Sequence, residues 1–133
     1  MRILVTGGTG FVGSWAASAL AEMGHEVFVC SRHDVEIAGC RTIKADLLSD
    51  SGADFAMADV RPEVILHLAW YVEHGLFWAA TENLDWVAAT MRLAGAARNH
   101  GVRRFVGVGT CMEYDFAASV PSIPEHAKIN PTS

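Results

Sequence analysis

Residues 1–14 read "MRILVTGGTGFVGS", and the fold turns on how this stretch is read. Residues 2–6, RILVT, form a short β-rich run. The apolar helical pattern that starts at Val12 follows after only a few residues. Between them lies Thr6-Gly7-Gly8-Thr9-Gly10-Phe11-Val12-Gly13. A strand that turns at once into a helix needs a tight backbone turn and close helix–strand packing, and side chains obstruct both. Glycine removes the obstruction. It also opens the turn to a phosphate group, which the N–H groups and positive dipole of the following helix attract.

On either side of this turn, apolar runs alternate with helical patterns. Residues 27–31, 42–44, 64–68 and 105–108 are the further strand candidates, the second being the weakest. Continuous apolar runs of this length suit strands buried on both faces of a parallel sheet. A helix is expected along Val12, Trp15, Ala16, Ala19, Leu20 and Met23, stopped by Gly24. A weaker one is expected over residues 50–59, with Phe55, Met57 and Ala58 apolar. The longest is expected over residues 78–100, before Gly101. It carries two apolar stripes, Leu84-Val87-Ala88-Met91 and Trp86-Thr90-Leu93-Ala97. One stripe covers the sheet and the other calls for a partner; the second is the one expected to be left open. The β-α-β-α-β order predicts an α/β fold, a Rossmann-type doubly wound parallel sheet truncated after about five strands.

The 133 residues are 51% hydrophobic and 19% charged, enough for one domain with a filled core. The formal charge of -5, without basic runs, gives no footprint for nucleic acid or an anionic membrane. No apolar run approaches the ~20 residues of a membrane span, and the chain enters a strand at once, so no signal peptide is expected. Cys30, Cys40 and Cys111 are odd in number and widely spaced, which suits free thiols in the cytoplasm. The six histidines are scattered, and no metal site is expected.

The glycine turn resembles the TGxxGxxG motif of extended short-chain dehydrogenase/reductases, the NAD(P)-dependent nucleotide-sugar epimerase/dehydratase family. The resemblance continues in register through "ADL" at 45–47, "RPEVILHLAW" at 61–70 and the stretch from Glu82 to Thr110. It implies that Gly7, Gly10, Phe11, Val12 and Gly13 bind the cofactor, with Asp46 near the adenine amino group and Leu47 against the ring. It also sets His67-Leu68-Ala69 alongside the cofactor and makes Asn83 the family's asparagine. At the end of the second strand, acid selects NAD and base accommodates the extra phosphate of NADP. Ser31 stands where NAD-preferring relatives carry Asp, and Arg32 follows. NADP is therefore expected, with NAD possible through Asp34.

In the family, a Tyr-x-x-x-Lys motif supplies the acid/base group and a Ser or Thr after the fifth strand binds the same oxygen. The resemblance assigns that hydroxyl to Thr110. Cys111-Met112 replaces the Asp-Glu that dehydratases place next. Tyr71 and Tyr114 are followed four residues on by Gly75 and Ala118, so neither begins Tyr-x-x-x-Lys. "PEHAKINPTS" at 124–133 matches the lead-in to the catalytic helix. The expectation is the N-terminal part of an NADP(H)-dependent nucleotide-sugar epimerase or reductase. On its own it lacks the principal acid/base, and it pairs as a homodimer. The alternative is a non-catalytic NADP(H)-binding sensor or regulatory module.

Overall fold

A computed structural model describes residues 1–114 and 122–130. Five parallel strands form one sheet: β1 (Arg2–Thr6), β2 (Glu26–Ser31), β3 (Cys40–Lys44), β4 (Val64–His67) and β5 (Arg104–Gly107), in the order β3-β2-β1-β4-β5. The order reverses at β1, between β2 and β4, so the sheet is doubly wound and its switch point lies at the β1 carboxyl end. β1 has the expected bounds, and those of the other four strands differ from expectation by one or two residues.

Helix α1 (Phe11–Glu22) covers one face; α2 (Gly52–Val60) and α3 (Glu82–Asn99) cover the other. On the α2–α3 side, Leu4, Phe28, Ile65, Met57 and Leu93 pack into one core. On the α1 side, Ile3, Val5, Val27, Val29 and Ala17 form a second. Successive residues of β1 and β2 thus alternate between two cores, which is why these strands read as unbroken apolar runs.

Three features depart from the sequence expectation. The side of α1 that meets the sheet is Gly13, Ala17 and, in part, Leu20 and Ala21; Val12, Trp15 and Met23 point outward, Trp15 being 72% exposed. Small residues win because α1 lies too close to β1 for large ones. A Cβ on Gly13 would stand 2.1 Å from the Gly7 carbonyl oxygen. The third helix begins at Glu82, and residues 74–79 form turns instead. Asn83 ties the helix start to this loop by donating its side-chain N–H to the Phe77 carbonyl at 2.7 Å. Finally, the stripe of Trp86, Thr90, Leu93 and Ala97 is not the open one. Leu93 and Ala97 are buried, and Trp86 packs on the core. Leu84, Val87 and Met91 are the outward stripe, 73%, 50% and 68% exposed. Apolarity alone did not distinguish the two; the small Ala89, Ala96 and Ala97 flanking Leu93 allow that face to approach the sheet.

Candidate functional site: a cleft at the switch point

The carboxyl ends of the strands open into a cleft of about 270 Å³, lined by Gly7, Thr9 and Gly10, by residues 30–33 and 45–47, and by Leu68, Ala69, Trp70, Val72 and Trp86. A wider hollow of about 480 Å³ lies at the opposite strand ends, among Arg2, Glu26, Arg41 and Asp59. Its charges already answer one another, with Glu26 bridging Arg2 and Arg41 at 3.2 Å each. The chemistry of the smaller cleft makes it the site.

Its floor is the glycine turn. Gly7 sits at φ +69°, and a Cβ there would lie 2.7 Å from the Ala69 nitrogen. Gly13 lets the start of α1 rest on that same turn. Gly10 is the N-cap of α1, with no side-chain capping bond and no acidic residue in the first turn. The positive helix end is therefore left uncompensated beside a floor without side chains. A floor without side chains beside an uncompensated helix N-terminus suits a pyrophosphate.

Residues at the end of β2 form the next wall. The Ser31 hydroxyl oxygen accepts from the His33 N–H at 3.1 Å, which shapes the turn that carries Arg32. Asp34 does not line the cleft; it is exposed and pairs with Lys44 at 3.4 Å. Cys30 is buried strand core, its thiol pushed up to about 11 by burial and then by the charge of Asp46. Such a thiol is not a nucleophile at neutral pH. After β3, the Asp46 carboxylate accepts from the Leu48 N–H at 3.0 Å, and Leu47 is buried at the cleft wall.

After β4, Leu68 and Ala69 line the cleft, whereas His67 turns away from it. Its Nδ1 lies 2.6 Å from the Thr6 hydroxyl and its Nε2 lies 2.9 Å from that of Thr90. The ring also packs on Phe105, centroids 5.7 Å apart. Burial holds its pKa below the usual imidazole value. The Thr6 oxygen accepts from the Ala69 N–H at 3.3 Å, so one buried network ties β1, β4 and α3 directly beneath the glycine turn.

The structure thus brings Gly7, Gly10, Ser31, Arg32, Asp46, Leu47, Leu68 and Ala69 to one cleft. Gly13 supports the turn from below. Phe11 and Val12 supply backbone at the start of α1, while their side chains face solvent, 86% and 60% exposed. Asn83 lies behind the cleft, engaged with Trp70 and Phe77. Thr110 lies beyond β5, exposed and outside the cleft lining, where its hydroxyl accepts from the Met112 N–H at 3.2 Å and caps a single 3₁₀ turn. Pro131, Thr132 and Ser133 lie outside the described residues. Sequence reasoning missed Trp70 as a cleft residue.

A doubly wound sheet with a glycine turn and an open helix N-terminus at its switch point defines a Rossmann-type fold. Residues 3–133 match the model of the NAD dependent epimerase/dehydratase family, and the chain belongs to that family. The UDP-glucose 4-epimerase of Rhizobium meliloti (strain 1021) is 32% identical over 138 residues, covering 98% of this chain and 42% of that one. Among solved structures, the Thermus thermophilus UDP-glucose 4-epimerase in complex with NAD superposes with a TM-score of 0.83 at 26% identity, covering 100% of this chain and 45% of that one. The Bordetella bronchiseptica enzyme WbmG in complex with NAD and UDP gives 0.80 at 27% identity, covering 99% and 44%. The chain therefore spans less than half the length of these relatives. Among the described residues, no helix is long and apolar enough to cross a membrane.

Proposed function

We propose that these residues are the dinucleotide-binding part of an NADP(H)-dependent nucleotide-sugar epimerase or reductase, acting in the cytoplasm, and that alone they bind cofactor without turnover. The observation that carries this reading is the β2 end of the cleft. Arg32 lines it, no carboxylate stands at Ser31, and Asp34 is turned to Lys44. A guanidinium suits a 2′-phosphate, and an acidic residue would have suited the free ribose hydroxyls. The family relationship and the UDP-sugar relatives support the substrate class. The absence of Tyr-x-x-x-Lys from the 133 residues supports the lack of turnover.

Arg32→Ala tests the reading. It is expected to weaken NADPH by about 1.5–3 kcal/mol, the range for hydrogen bonds to a charged group, and to leave NADH nearly unchanged in a fluorescence titration. Equal losses for both cofactors would sink the assignment of Arg32. We further infer that two copies associate through the outward stripe of α3, for the exposed Leu84, Val87 and Met91 form a row that water covers poorly.

A further inference from the structure

Trp70 follows directly on the Leu68–Ala69 wall and lines the same cleft as Leu47, with its residue surface 41% exposed. Its one polar atom is already committed: Nε1 donates to the Asn83 Oδ1 at 3.0 Å. The other end of that carboxamide donates to the Phe77 carbonyl at 2.7 Å. The two bonds fix the amide's orientation, since a flipped amide would set donor against donor at Trp70. Because Asn83 stands in the first turn of α3, the indole is pinned to a helix rather than left on a mobile rotamer.

What Trp70 offers the cleft is therefore a flat π-surface with no donor left over. The cleft carries a second apolar wall at Leu47 and a second indole at Trp86. A lining of this kind suits a planar heteroaromatic ring; a sugar or a phosphate gains little from it. Phosphates are served by the glycine turn. The base is the only part of a nucleotide that matches the Trp70 chemistry.

We propose that Trp70, positioned by Asn83, is the stacking wall for the purine base of the dinucleotide. The inference rests on the reading of the cleft as a dinucleotide site and adds to it a specificity-determining residue outside the glycine turn. Stacking on an aromatic ring is worth about two- to tenfold in affinity, and that is the loss expected for ADP on Trp70→Leu. Trp70→Phe keeps a ring and recovers most of it. Inorganic pyrophosphate, which has no base, binds both variants as it binds the parent. Asn83→Ala weakens ADP by a smaller factor, and adds nothing once Trp70 is Leu, because Asn83 acts only through the indole.

Calorimetric titrations of ADP, pyrophosphate and nicotinamide mononucleotide against the full chain and these four variants decide the matter, with far-ultraviolet circular dichroism confirming the fold of each. Unchanged ADP affinity in Trp70→Leu overturns the proposal. So does an Asn83→Ala loss that persists at full size in the Trp70→Leu background, or a loss confined to nicotinamide mononucleotide. A parent chain that binds no ADP at all overturns the dinucleotide reading itself, an outcome distinct from the others.

Discussion

At the scale of single residues, the glycines and one histidine carry the sharpest consequences. Gly13→Ala forces a methyl group to 2.1 Å from the Gly7 carbonyl, a backbone atom that cannot step aside. It is expected to cost about 1–3 kcal/mol of stability as overpacking and to remove dinucleotide binding. Gly95→Ala provides the contrast. Gly95 sits inside α3 with nothing within 4 Å of an added Cβ, so alanine is expected to stabilise the protein by about 0.5–1 kcal/mol. Urea denaturation of both variants checks the pair. Burial lowers the pKa of His67 from 6.5, so the fold resists its protonation. The unfolded chain takes up a proton below pH 6.5 that the folded chain resists, so stability is full above that pH and is lost as pH falls toward the lowered value. The melting temperature is expected to fall as pH drops below 6.5, and to fall less in His67→Asn. A His67→Asn curve parallel to the parent's would show that the loss arises elsewhere.

At the scale of elements, the order of strands and helices was legible from the sequence because each strand is a short apolar run between helix-period segments. Which face each helix presents was less legible. Trp15 and Met23 look like core by periodicity, yet α1 packs through Gly13 and Ala17, since distance to the sheet and not hydrophobicity selects the buried side. The same principle reversed the two stripes of α3; its start at Glu82 is a separate matter, Asn83 there holding the loop before it. The reversal changes what a charge does at each position. Trp86→Glu places a carboxylate against the core and is expected to destabilise the fold. Met91→Glu, on the outward stripe, is expected to leave stability within about 0.5 kcal/mol and to shift the protein from dimer toward monomer in analytical ultracentrifugation. Dimer persisting in Met91→Glu would remove α3 as the contact.

At the scale of the whole molecule, the site was legible wherever it consists of backbone. Gly7, Gly10 and the ends of β2, β3 and β4 converge because the fold brings strand ends together at the switch point, and the chain order alone implied that. Side-chain commitments were not legible. Nothing in the order of residues reveals that Asn83 is spent on Trp70, that His67 faces Thr6 and Thr90, or that Thr110 caps a turn. Beyond β5 the α1 side of the sheet is open: Val106 and Val108 are 41% and 59% exposed, and no helix covers them among the described residues. Neither tyrosine of the chain, Tyr71 or Tyr114, begins Tyr-x-x-x-Lys. The 133 residues are accordingly expected to show no epimerase or ketoreductase turnover on UDP-sugars, and measurable turnover would mean that another group serves as acid/base.

We propose that the switch-point cleft takes a dinucleotide and that Arg32 selects its phosphorylated form. Calorimetric titration of the chain with NADPH and with NADH, in one buffer at low salt, tests it most directly. Arg32 without a competing carboxylate is expected to make NADPH the tighter ligand by about tenfold, the equivalent of one charge-assisted hydrogen bond of about 1.4 kcal/mol. Tighter binding of NADH, or heat from neither ligand, would contradict the claim.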